Sequence, residues 1–500
     1  MARARRGYDA AMPQETPRPS ELQLIARQAM RARGLDPDLP QAAREQLRTL
    51  SAAASEPDPQ IRDLRALLWC SIDNDDSRDL DQLSVAQPLS DGGVKILVAV
   101  ADVDATITVG TALDAHARLN TTSVYTAAQT FPMLPDRLST DLTCLAEGQD
   151  RLSMVVEMSV APDGALAAAE VYRAVVHNRA KLAYNGVAAW LQGNGPLPAR
   201  AAAVPGMEQQ LHVQDRVAQL LKQVRRGQGA LTLATPEAQA VFAGGWLVDL
   251  QPDEDNRARE LIEYFMIAAN ETVAAFLDRR GSPALRRVLR APRRWDRIVQ
   301  LAKTCGERLP ATPDGRALSA FLLRRQRAAP AQFADLSLAI VKLLGKAEYA
   351  LARPGEAPEA HFALALETYT HATAPNRRFP DVIAQRLVKS VLNGKPPAYG
   401  VEELRALAAH CTEQQDNAAK VERQVRKSAA AMLLRSRIGE RFDAIVTGAS
   451  GDKVWVRISH PFAEGRVVRG FQGMDVGDAV RVQLVHTDVQ RGFIDFAHGA

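Results

Sequence analysis

Ser71-Ile72-Asp73-Asn74-Asp75-Asp76-Ser77-Arg78-Asp79-Leu80-Asp81-Gln82 places five carboxylates against a single arginine within twelve residues. In a compact fold such a run either stays solvated as an acidic surface loop or is neutralised by a divalent cation. Oxygen donors with no His or Cys among them suit Mg²⁺ or Mn²⁺ rather than zinc. The flanks give the structural half of the reading. An apolar run over residues 67–72 leads straight into Asp73, and a second over residues 94–101 ends at Asp102. Apolar runs of that length read as buried strands, so the acids lie on a loop held beside a sheet. Carboxylates positioned in this way hold something.

Working outward, 500 residues imply two to four domains, with 46% apolar and 24% charged residues, as in soluble globular proteins. No uncharged apolar stretch approaches the length needed to span a bilayer. The start, Met-Ala-Arg-Ala-Arg-Arg, has no apolar segment after it and does not read as a signal peptide. Cys70, Cys144, Cys305 and Cys411 are scattered without Cys-x-x-Cys spacing, which suggests neither zinc nor disulfides and fits a reducing cytoplasm. Charge is uneven: residues 281–330 carry twelve Lys/Arg against three Asp/Glu, with Arg286, Arg287, Arg290, Arg293, Arg294 and Arg297 in the first part. Such a tract is either a solvated helix face or a contact for a polyanion.

The pattern divides the chain into a multidomain α+β protein. Residues 1–64 read as a small helical module, mobile over the first 18 or so residues. Ser20-Glu21-Leu22-Gln23 is a capping box for a helix stopping near Gly34, a second helix follows Pro40, and a third covers residues 61–64. Three short helices allow a helix-turn-helix. Residues 65–438 read as a mixed α/β catalytic domain, strand-rich to about residue 160 with a hairpin turn at Gly92-Gly93. Helical periodicity follows over 180–221, 257–279, 381–392 and 403–437. Residues 439–500 alternate with period two over five short runs, broken by Gly448, Gly451-Asp452 and Gly477-Asp478, which suggests an OB-type β-barrel. Its Trp455, Arg457, Arg466, Arg469 and Phe471 would suit single-stranded nucleic acid, or form an ordinary core with solvated arginines.

At this point the chain resembles the ribonuclease II/R family of processive 3′→5′ exoribonucleases. The resemblance rests on the aspartate motif and four further blocks in order: Thr122-Ser123-Val124-Tyr125 with Phe131-Pro132-Met133-Leu134-Pro135; Ala180-Lys181-Leu182-Ala183-Tyr184; Leu261-Ile262-Glu263-Tyr264-Phe265-Met266-Ile267-Ala268-Ala269-Asn270; and Tyr369-Thr370-His371-Ala372-Thr373-Ala374-Pro375-Asn376-Arg377-Arg378-Phe379-Pro380-Asp381. It implies an RNB-like catalytic domain that threads single-stranded RNA through a narrow channel and hydrolyses it with Mg²⁺, or Mn²⁺ in its place, to nucleoside 5′-monophosphates. A cytoplasmic monomer with no membrane contact is the expected form.

By this resemblance Asp73, Asp79 and Asp81 are metal ligands, Asp81 and Arg377 are catalytic, and Arg378 and Arg386 are further phosphate contacts. Tyr125 and Tyr184 would hold the 3′ end by stacking, and Glu263 would accept a hydrogen bond from a ribose 2′-hydroxyl, a group that DNA lacks. Trp455 adds RNA binding from the barrel. Each has a plainer alternative: an internal ion pair for Arg378 and Arg386, a core ring for the tyrosines, a structural cap for Glu263. Three departures stand out. Gln82 occupies the fourth acidic ligand position, either as a neutral oxygen donor or as a hydrogen-bonder behind the ligands. Gln385 stands where His is common, and a short helical segment takes the place of tandem cold-shock domains. His361 and His371 are not assigned as general bases.

Overall fold

The computed structural model describes residues 20–234, 238–243, 246–252, 256–450 and 453–499. Seven strands form one mixed sheet, in the order Arg62–Asp63, Leu166–His177, Asp150–Val160, Val94–Ala101, Gln82–Pro88, Cys70–Asp73, Ala180–Ala183. The two outermost pairs are parallel and the inner pairs antiparallel. Val94–Ala101 lies in the middle and is buried along nearly its whole length, which is why it reads as a continuous apolar run rather than an alternation. The helices Met207–Gln228, Arg257–Arg279 and Phe379–Leu392 share one core with this sheet. Asn256 starts the Arg257–Arg279 helix by accepting from the backbone N–H groups of Ala258 and Arg259, and Pro380 sits in the first turn of Phe379–Leu392.

The 34-residue helix Val401–Leu434 ties the molecule together. Its Leu404, Leu407 and Cys411 lie in the sheet's core, Val421 and Val425 pack on the helix Glu21–Arg31, and Ala430, Ala431 and Leu434 enter the core of the C-terminal barrel. The barrel is closed, in the order Arg441–Ser450, Lys453–Ile458, Ala463–Arg469, Phe493–His498, Ala479–Asp488. Gly465 is required there: a Cβ would stand 2.5 Å from the Phe496 ring and 2.6 Å from the Ile494 carbonyl.

The capping box at Ser20 forms with both of its bonds, and the first two helices are Glu21–Arg31 and Gln41–Thr49. The third is not a helix. Arg62–Asp63 joins the sheet edge beside Ala174 and Val175, a tertiary pairing that local propensity could not show. The helix Glu21–Arg31 packs on the long helix and Gln41–Thr49 on Ala112–Asn120, so the pair does not form a free-standing helix-turn-helix. Ala180–Ala183 is likewise a strand, captured by Cys70–Asp73 before the helix Tyr184–Leu191 begins. The hairpin Ala238–Ala243/Trp246–Pro252 was not expected; its Leu250 carbonyl accepts from Phe462 N–H at 2.9 Å and seats the barrel. The first 18 or so residues and the Gly451-Asp452 turn lie outside the described residues.

Candidate active site

Cys70–Asp73 and Gln82–Pro88 are antiparallel neighbours with Cys70 opposite Ser84, so Asp73 and Gln82 close the same end of the sheet. Residues 74–81 form the loop between them. Lys181 Nζ donates to the Ser77 carbonyl, Asn185 Nδ2 to Asp75 Oδ2 at 2.9 Å, and Arg259 Nη2 to Asn74 Oδ1 at 3.2 Å. Asp75 is therefore occupied with a neighbouring side chain. Asp73 lies beside Ala183 in the adjacent parallel strand, which brings Tyr184, the next residue, to the same end.

Asp81 is 2% exposed. Its Oδ1 accepts from Asn376 N–H at 2.9 Å, and its Oδ2 lies 3.3 Å from Arg377 Nε and has no hydrogen-bond partner. Burial pushes the carboxyl up to about 7, against the opposing pull of Arg377 and the Asn376 N–H. Asp79 is also raised, by burial and by Asp73, while Arg377 opposes the shift. Partial burial disfavours the charge on the half-exposed Arg377, yet Asp81, Tyr125, Asp73 and Asp79 together hold its pKa above the ordinary value. One guanidinium thus serves three aspartates. Its loop is fixed from the other side: the Arg377 carbonyl accepts from Ser123 N–H at 3.0 Å, and Phe379 N–H donates to Thr121 O at 2.8 Å. Thr121 adopts φ 56° to make that contact, the kind of backbone strain that gathers at functional sites.

Tyr125 and Tyr184 both feel the Arg377 charge. Burial of its hydroxyl pushes Tyr125 up to about 12. Its backbone N–H donates to Glu422 Oε1 at 2.9 Å. Arg259 lies over the Tyr184 ring at 5.5 Å, and Glu263 follows one turn later on the same helix with its side chain exposed. His371 is half-buried, its pKa held well below the ordinary value by desolvation, and it is bonded through Nδ1 to Tyr349 Oη at 2.8 Å. Burial lowers His361 to about 4. Neither histidine is placed as a base. Gln385 Nε2 donates to the Ala101 carbonyl at 2.6 Å, supporting the strand behind Asp81.

The structure withdraws some expected phosphate contacts. Arg386 is buried, with its side chain only 2% exposed; it pairs with Asp104 and Asp114 at 2.7 and 2.8 Å and donates to Tyr399 Oη. Arg378 grips Asp381 through Nε and Nη2 at 2.9 and 2.7 Å, and Asp381 in turn accepts from Ala374 N–H, so this arginine shapes the loop instead of reaching out. In the first part of the basic tract Arg286 is buried against Asp278 and the exposed Arg290 bridges Glu348 and Glu359, while Arg293, Arg294 and Arg297 are exposed with no ion pair among the described residues. On the barrel, Arg457 pairs with Asp335 at 2.8 Å and docks the barrel on the helix Pro330–Leu344. Trp455 lies half-buried on the outer face between Val454 and Val456, which point inward, and packs beside Gly448. Asn376, Thr143 and Cys144 went unread in the sequence. Only the block containing Asn376 marked its neighbourhood.

Among the described residues no group of three or more His, Cys, Asp or Glu side chains is drawn together as a metal site on its own. Two consecutive residues nevertheless leave buried oxygens without a hydrogen bond, Gln82 Oε1 and Asp81 Oδ2, the latter facing the Arg377 guanidinium at 3.3 Å. Such orphans are costly unless something binds them, and a hard oxygen-seeking cation fits this donor set.

The RNB domain pattern matches residues 61–394, and the RNase II-type exonuclease C-terminal S1 domain pattern matches residues 440–498. The chain is 30% identical over 441 residues to Ribonuclease R of Escherichia coli strain K12, covering 86% of this chain and 54% of that protein. Across this and two other Ribonuclease R relatives the chain spans 54% to 64% of their length. Among solved structures, Mycoplasma genitalium RNase R in complex with ribose methylated single-stranded RNA superposes with a TM-score of 0.86 at 20% identity, covering 96% of this chain and 78% of that one. Yeast Ssd1, described as a pseudonuclease, superposes with a TM-score of 0.74 at 18% identity, covering 92% and 57%. With the catalytic-domain pattern spanning most of its length and the barrel pattern following in order, the chain belongs to the RNB-domain family of ribonuclease II/R proteins.

Proposed function

We propose that this chain is a Mg²⁺-dependent hydrolase that shortens single-stranded RNA processively from its 3′ end and releases nucleoside 5′-monophosphates. The observation that carries this reading is the pairing of buried Asp81 with Arg377, with Asp73 and Asp79 inside the same field. A bound Mg²⁺, or Mn²⁺, would be held by Asp73, Asp79 and Asp81 with Gln82 Oε1 as a neutral donor, and supplies charge neutralisation and water activation when bound. The chain's own groups do the rest. Arg377 offers a planar fork to the phosphate oxygens, which Lys cannot copy. Asp81 Oδ2, which is ion-paired with Arg377 but accepts no hydrogen bond, orients the attacking water once Arg377 turns to the phosphate. Tyr125 and Tyr184 hold the terminal bases by stacking without reading them, and Glu263 accepts from the 2′-hydroxyl. Trp455 and the exposed arginines Arg293, Arg294 and Arg297 hold the upstream strand. Four free cysteines agree with a reducing cytoplasm, and a single threading path asks for no more than a monomer.

Gln82 favours a second reading, a catalytically silent RNA binder on the same fold, because it removes one charge from the metal position. Single-stranded RNA labelled at either end, incubated with Mg²⁺ or Mn²⁺ beside Asp81→Asn, separates the two. Monophosphate release by the parent protein alone supports the hydrolase. Tight binding without release under either metal supports the binder.

A further inference from the structure

Asp81 and Arg377 lie on loops almost three hundred residues apart, and one buried tripeptide touches both. Thr143-Cys144-Leu145 follows the π-helical turn Leu138–Leu142, an irregularity common near functional sites. Thr143 Oγ1 lies 2.6 Å from Asn376 Oδ1 and 2.8 Å from the Leu138 carbonyl. Cys144 Sγ accepts from Leu80 N–H at 3.3 Å and donates to the Arg78 carbonyl at 3.2 Å. Leu145 N–H donates to the Leu80 carbonyl at 3.0 Å, and Leu145 O accepts from Asn178 Nδ2 at 2.9 Å. Leu80 immediately precedes Asp81, and Asn376, whose N–H donates to Asp81 Oδ1, immediately precedes Arg377. Thr143, Cys144, Leu145 and Asn376 are all buried.

Ordinary core packing does not ask for this arrangement. A buried Thr and a buried Cys could each satisfy themselves on their own turn, and the Leu138 carbonyl is within reach of the Thr143 hydroxyl for that, but its single proton has the nearer acceptor in Asn376 Oδ1. Here each reaches across to a different loop, and the two loops are the ones carrying the Asp81 carboxylate and the Arg377 guanidinium. We propose that Thr143-Cys144-Leu145 is a positioning clasp that sets the spacing of Asp81 and Arg377, a role that rests on the hydrolase reading above. None of the three need touch RNA or metal. They act by presenting the Asn376 N–H to Asp81 and by fixing the loop on which Asp81 stands. A displacement of about 1 Å between reacting groups can cost on the order of a hundredfold in rate, so small bonds here have leverage.

The test pairs Thr143→Val, which keeps the shape and loses the hydroxyl, with Thr143→Ser, which keeps the hydroxyl; Cys144→Ala serves as a second probe. Amide hydrogen exchange is measured on metal-free full-length protein, and steady-state kinetics on single-stranded RNA with Mg²⁺. Expected is faster exchange over residues 373–378 in Thr143→Val and over residues 74–81 in Cys144→Ala, with the Asp150–Val160 strand unchanged. kcat should fall by about tenfold with KM within about twofold, since a bond made only to set geometry is felt in the transition state. Thr143→Ser should restore both readouts, and Thr143→Val combined with Asn376→Leu should be no worse than the poorer single variant. Unchanged loop exchange, a uniform rise across the sheet, or additive losses in the double variant would overturn the clasp. Should Cys144→Ala fail to fold, the Thr143 pair decides alone. A parent protein that releases no nucleotide defeats the hydrolase reading, while the exchange measurement still decides whether the tripeptide holds the two loops.

Discussion

Arg377 Nε lies 3.3 Å from Asp81 Oδ2, joining an arginine side chain that is 42% exposed to a carboxylate that is 2% exposed. The buried partner is fixed and the exposed one has room to turn. On the proposed hydrolase reading, Arg377 neutralises Asp81 in the free protein and swings to a phosphate when RNA binds. Arg377→Lys keeps the charge and loses the fork, and kcat should fall by about a hundredfold, the cost of removing one placed donor to developing charge. Single-turnover kinetics check this; activity retained within a few-fold would assign Arg377 to structure.

Asp81 gives a stability prediction with a definite sign. Its pKa is raised by burial to about 7 from the ordinary 3.8. Between those values the folded chain binds more protons at this site than the unfolded one, so its contribution to stability falls as pH rises and is fully lost above about 7. In chelator, Asp81→Asn should therefore have a higher Tm than the parent at pH 8, with the difference vanishing near pH 4. Adding Mg²⁺ should raise the parent's Tm and leave the variant's in place. An Asp81→Asn protein less stable than the parent at pH 8 in chelator would contradict the burial argument.

In the proposed metal site Gln82 supplies an oxygen without a charge, so Mg²⁺ should bind more weakly than it would to a fourth carboxylate. Gln82→Asp should lower the Mg²⁺ concentration giving half-maximal activity, while lowering Tm in chelator because a further buried charge is left unpaired. A parent magnesium requirement as tight as the variant's would show that Gln82 is no ligand.

The first part of the basic tract separates into arginines held in ion pairs, Arg286 and Arg290, and exposed arginines with no ion pair among the described residues, Arg293, Arg294 and Arg297. Arg293→Gln, Arg294→Gln and Arg297→Gln combined, on an Asp81→Asn background that binds without cutting, should reduce the salt slope of RNA binding by about 2, near 0.7 for each phosphate that is no longer neutralised. Arg290→Gln, which loses only its bridges to Glu348 and Glu359, should leave the slope alone. Equal slopes in all proteins would return the exposed arginines to a solvated face.

What could be read from the sequence followed from local physics. Ser20 and Gln23 close a capping box between neighbours, the apolar run before Asp73 forecasts a buried strand, and period-two alternation after Phe442 forecasts the barrel. Residues whose partners lie far along the chain misled. Arg386 meets Asp104 and Asp114, and Arg457 meets Asp335; in sequence these look like free cations. Ala180–Ala183 carries helix-compatible residues and becomes a strand because Cys70–Asp73 offers it an edge. The site shows the same division. Asp73, Asp79, Asp81 and Arg377 lie in dense motifs, whereas Thr143 and Cys144 matter only through what they touch.

Directional hydrolysis at the Asp81–Arg377 site is open to a direct assay. Single-stranded RNA labelled at the 5′ end, and separately at the 3′ end, is incubated with the protein and Mg²⁺, with Asp81→Asn as control. Expected are immediate release of labelled nucleoside 5′-monophosphate from the 3′ label, a 5′-labelled population that shortens to one small limit product, and neither with Asp81→Asn. Internal cleavage first, release from the 5′ end first, or equal release by Asp81→Asn would contradict it.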